Sequence, residues 1–94
     1  MTIQPEETEI KGRWVAHGGR MIADSNCSRI ESLLENHLRE VARDTSGWDV
    51  LYVDPLDGRY WELIYLESNL QGGGPPTLRQ LSKESARGKY VVDA

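Results

Sequence analysis

The sequence predicts an α+β domain: an antiparallel sheet of about five short strands, one main amphipathic helix packed on it, and a short C-terminal helix. Three observations carry this. Two pairs of apolar, β-branched and aromatic runs are each joined by a glycine-containing turn. A single stretch between them repeats apolar residues at helical spacing. The 94-residue chain has no internal repeat, no heptad run and no apolar stretch near the roughly 20 residues that span a bilayer.

Residues 1–9 hold Pro5, Glu6, Glu7 and Glu9 without a base, and so read as a disordered acidic tail ahead of one domain over residues 10–94. Two apolar runs follow on either side of Gly18-Gly19, anchored by Trp14 and Val15 and by Met21 and Ile22; they predict a hairpin. From 26 to 43, Cys27, Ile30, Leu33, Leu34, Leu38, Val41 and Ala42 fall on one side of a helical projection, which predicts a helix over that span. Asp24, Ser25, Asn26 and Ser28 are its candidate N-caps.

The runs 48–53 and 59–66 predict a second hairpin across Asp54-Pro55-Leu56-Asp57-Gly58. Residues 68–76, with three glycines and two prolines, predict a loop. Thr77 to Leu81 is a candidate last strand, and Ser82 caps a short helix over 83–88. With no phenylalanine in the chain, Trp14, Trp48 and Trp61 are expected in the core.

Little in the chain points to chemistry. Cys27 lies on the apolar side of the helix, and His37 is ten residues further along it, about 15 Å away, so the two cannot form a nucleophile–base pair. A buried structural cysteine is expected, with His37 at the core edge. His17, His37, Asp24 and Cys27 have no metal-ligand spacing. Gly72-Gly73-Gly74 lacks the Lys and Ser/Thr of a phosphate loop, and Pro75-Pro76 removes backbone donors. Glu62 and Glu67, an odd number of residues apart in a strand, point to opposite faces. No enzyme activity and no cofactor is expected.

Charge is unevenly placed: the net −4 of the chain includes −5 over residues 44–67. Such a segment repels phosphates and argues against nucleic acid as a partner. No membrane partner is expected. The first residues have neither a basic n-region nor an apolar h-region, and the single cysteine permits no internal disulfide, so the expected compartment is the cytoplasm.

Four segments carry a family resemblance: Asp24-Ser25-Asn26-Cys27-Ser28-Arg29-Ile30, Gly47-Trp48-Asp49-Val50-Leu51-Tyr52, the string from Asp54 through Arg59-Tyr60-Trp61-Glu62 to Leu63, and Gly72-Gly73-Gly74-Pro75-Pro76. In this order they resemble immunity protein family 27 of the bacterial polymorphic toxin systems, over roughly residues 10–90. Members of that family tend to have a proline after the tyrosine matching Tyr65 and a histidine before the triple glycine; Leu66 and Gln71 stand there in this chain. The resemblance implies a small antidote that binds a cognate toxin; an adaptor or regulatory module without a toxin is the alternative.

The expected contact surface is the acidic hairpin with the glycine-rich loop: Asp54, Asp57, Arg59, Glu62, Glu67, Gly72, Gly73, Gly74 and Pro75. Its negative charge would steer a basic toxin domain, such as the substrate-binding face of a nuclease, and the loop would give close backbone approach.

Overall fold

A computed structural model of the chain describes residues 2–65 and 74–91. Its strands are β1 (Glu9–Lys11), β2 (Trp14–His17), β3 (Arg20–Ala23), β4 (Arg39–Arg43), β5 (Val50–Val53), β6 (Tyr60–Ile64) and β7 (Thr77–Leu81). The helices are α1 (Ser25–Asn36) and α2 (Lys83–Lys89). Five strands form one antiparallel sheet in the order β1-β7-β6-β5-β4, while among the described residues β2 and β3 pair only with each other. The α+β class is as the sequence predicts, with a different allotment of strands. The first hairpin stands outside the main sheet, and β1 and β4 complete it.

Alternation along the strands sorts the core into two layers. Trp61, Leu63, Val50 and Leu78 face α1 and bury Ile30, Leu33 and Leu38 with Ile3 and Ile10. On the opposite face Leu51 packs on Ala86 and Tyr90 at α2, with Tyr60 and Leu81 beside them. Register aligns Leu51 with Glu62 and Glu62 with Arg79, so one carboxylate lies in the second layer.

The predicted helix over 26–43 is shorter than expected. Asp24 is its N-cap, accepting from the Cys27 N–H at 3.0 Å, and it ends with the His37 N–H donating to Leu33 O. Twelve residues give about 18 Å of helix, close to the about 17 Å of a five-residue strand. Seven more residues would carry the helix about 10 Å past the sheet, where Val41 would lose its cover. Instead Arg39–Arg43 fills the free edge of β5, with a bulge between Glu40 and Ala42. Leu38 is buried at the junction, while Leu34 and Val41 are only half-buried.

The N-terminal segment also differs from the tail its composition suggests. Ile3 is buried in the α1 layer, β1 begins at Glu9, and Glu7 pairs with Arg29. Hydrophobic burial and two arginine clamps outweigh the segment's acidity.

Candidate functional site

Two ends of the sheet must be distinguished. Lys11 lies opposite Thr77, Thr77 opposite Ile64, Leu63 opposite Val50, and Val50 opposite Arg43, which places these residues at one end. Val53, Tyr60, Leu81 and Arg39 lie at the other.

The residues expected to bind a partner divide between these ends. Asp54, Asp57 and Arg59 occupy the far end, in the β5–β6 turn. Gly74 and Pro75 lead into β7 at the near end, about 13 Å away along β6. Glu67, Gly72 and Gly73 lie outside the described residues.

Most of the acidic string faces inward. Asp54 is buried; its Oδ1 accepts from the Leu56 N–H at 2.8 Å and lies 2.9 Å from His37 Nε2, a close contact without aligned hydrogen-bond geometry. Asp57 is exposed but accepts from Arg59 Nε at 2.7 Å. The Arg59 guanidinium donates further to Glu7 O, Gln4 O and Gln80 Oε1, and lies 5.0 Å from the Trp61 ring centroid. Arg59 therefore ties the N-terminal segment to β6 and β7.

Glu62 is fully buried under α2. Its carboxylate accepts from Arg79 Nε at 2.9 Å and from Tyr90 OH at 2.7 Å, and pairs with Lys89, which also donates to Asp49 at 2.7 Å. Burial pushes the carboxyl pKa up, but the hydrogen bonds from Lys89, Tyr90 and Arg79 outweigh it and hold the group below its ordinary value. The same burial and the adjacent carboxylate push Tyr90 strongly up. These residues fasten α2 to the sheet. They are not a charged surface, and the net −5 of the segment overstates what a partner meets.

Apart from Leu56 in the β5–β6 turn and Val91 after α2, the exposed large apolar side chains among the described residues lie elsewhere. Trp14 (41% exposed), Val15 (40%), Met21 (59%) and Ile22 (41%) all belong to the β2–β3 hairpin, and Trp48 is 65% exposed. Trp61 alone of the three tryptophans is in the core. Val15 faces Ile22 across one side of the hairpin, and Trp14 and Met21 share the other. Gly18 and Gly19 have φ of 59° and 80°, the positive values a tight I′-type turn requires.

The base of this arm is built in. The Asp24 N–H donates to Arg13 O, Cys27 Sγ to the same oxygen, Asn26 Nδ2 to Lys11 O, and the Gly12 N–H to Pro76 O. Burial pushes the Cys27 thiol up, as befits an unreactive structural cysteine. The arm thus leaves the sheet at the same end as Gly74–Pro76. Trp48 stands edge-on to Tyr65 at that end, with ring centroids 6.4 Å apart, beside a cavity of about 450 Å³ lined by Ser46, Trp48, Asp49 and Tyr65.

Sequence reasoning marked Trp14, Val15, Met21 and Ile22 as strand anchors and missed their exposure. The available signal was the run of apolar residues in both strands: a ribbon with apolar side chains on both faces has no polar side to turn to water.

Among the described residues no group of three His, Cys, Asp or Glu side chains is arranged to hold a metal, and no helix is long and apolar enough to cross a membrane. Residues 16–82 match the family model of immunity protein 27. The chain belongs to that family. The match runs from within β2 to just past β7, taking in Met21 and Ile22 of the arm, α1, and the whole Asp54–Glu62 string. No curated protein and no solved structure matches the chain. Family membership makes it an immunity protein in general terms, which is the role the quoted motifs imply.

Proposed function

We propose that this chain protects its producer by binding a cognate toxin and blocking it stoichiometrically, with no chemistry of its own. Membership of the immunity protein 27 family carries the reading. The internal pairing of Asp54, Arg59 and Glu62 supports it, since the side chains best suited to acid–base work already hold the fold together. The proposed contact lies at the sheet end where Gly74 and Pro75 precede β7 and Trp48 stands against Tyr65. The negative charge of residues 44–67 favours a basic, nuclease-like toxin only weakly, because Asp54 and Glu62 are buried and Asp57 and Asp49 are paired with Arg59 and Lys89.

Co-expression with the toxin encoded by the neighbouring reading frame tests this. Survival of the host together with a stable 1:1 complex on size-exclusion chromatography is the expected result. Survival without any complex, or death despite full expression, would overturn it.

A further inference from the structure

We infer that the β2–β3 arm is the element that enters the toxin, seating in an apolar groove rimmed by acidic side chains. This rests on the immunity reading above and names the partner surface that the reading leaves open.

The arm is expensive to leave bare. A two-stranded hairpin is marginally stable in water on its own, and this one exposes Trp14 and Met21 on one face and Val15 and Ile22 on the other. Its backbone is also open, since neither strand pairs with any other strand among the described residues. An extended segment of a partner can therefore add to either edge while apolar side chains fill pockets above and below. The tip is slim: Cβ atoms built at Gly18 or Gly19 meet nothing within 4 Å, so these glycines serve the turn and leave a narrow leading edge.

Charge selects the occupant. Lys11, Arg13 and Arg20 are all exposed on or beside the arm, while its nearest acid, Asp24, is engaged as the α1 cap. A second copy docking arm to arm through a two-fold axis would bring these cations against themselves, which costs affinity. A groove with an acidic rim meets them with opposite charge and gains in association rate.

The test uses the full chain and the catalytically inactive toxin domain from the adjacent reading frame. The double variant V15T/I22T keeps β-branched residues, and hence the ladder, while removing apolar contact. It should weaken toxin binding about tenfold or more, with the unfolding midpoint within a degree or two of wild type. Should V15T/I22T fail to fold, R13E/R20E carries the same test: it should slow association and abolish the decline of the wild-type rate with added salt. Wild-type binding that both variants retain unchanged would overturn the arm while leaving the immunity reading standing. A toxin-free dimer that V15T/I22T dissolves would make a second copy the occupant and overturn it too. Absence of any wild-type complex, with no protection, would remove the immunity reading and this inference together.

Discussion

Glu7 and Arg29, 22 residues apart, meet side by side, with both carboxylate oxygens 2.6 Å from guanidinium nitrogens. The hydrogen bond from Arg29 is the main cause that holds the Glu7 carboxyl at about 2, against an ordinary 4.5. Because the folded value is the lower one, the pair stabilises the fold above about pH 4.5 and loses that contribution as pH falls toward 2. Glu7→Gln should cost about 1 kcal/mol at pH 7, at the upper end for a partly exposed pair. Its unfolding midpoint should converge on that of wild type near pH 2. A gap between the two that persists unchanged at pH 2 would show that the pair does not titrate as described.

The same segment anchors itself by burial. Ile3 is packed with Ile10, Ile30 and Leu78, while Arg59 grips Gln4 O and Glu7 O from the β6 side. Ile3→Ala should cost about 2–5 kcal/mol on denaturant titration. Removing residues 2–8 should cost at least as much, because it also takes Glu7 and Thr2 O from Arg29 and leaves Arg59 with only Asp57 and Gln80 as acceptors.

Gly12 marks where the arm leaves the sheet. A Cβ there would stand 2.6 Å from Pro76 O and 2.7 Å from Cys27 Sγ, and the first of these is backbone that cannot swing aside. Gly12→Ala should cost about 1–3 kcal/mol, the usual range for overpacking. Amide hydrogen exchange should show the loss concentrated in β2, β3 and the first turn of α1.

How far the residues alone led differs from element to element, for physical reasons. The two turns, at Gly18-Gly19 and at Asp54–Gly58, were legible because local chemistry decides them. The end of α1 was not: Arg39–Arg43 continues the helical apolar pattern, and only the length of the sheet decides that it becomes a strand. The N-terminal segment failed for a related reason, since Ile3 and Glu7 find partners far away in sequence. Among the expected contact residues, net charge was legible and its direction was not. Strand parity sets Glu62 on a different face from Trp61, but only the packing of α2 makes that face buried.

The Glu62 cluster is asymmetric, and mutation should reveal it. Tyr90→Phe removes one of three donors and leaves a fully buried carboxylate less satisfied, at a cost of about 1–3 kcal/mol. Glu62→Gln should cost more, because Arg79 loses its counter-charge and Lys89 keeps only Asp49. Equal stability of Glu62→Gln and wild type would mean that α2 is held by Ala86 and Leu51 alone.

Asp54 separates a role in the fold from a role in recognition. Its Oδ1 is the acceptor for the Leu56 N–H in the β5–β6 turn, and the same oxygen stands against His37 at the end of α1. Asp54→Ala leaves that N–H without its acceptor and should cost about 1–3 kcal/mol. Asp54→Asn keeps an oxygen at the same place and should recover part of the loss. Neither variant should change the affinity or association rate for the cognate toxin once measured well below the unfolding transition, since the turn lies at the opposite end of the sheet from the arm. A fall in association rate with stability preserved would return the acidic turn to the contact surface.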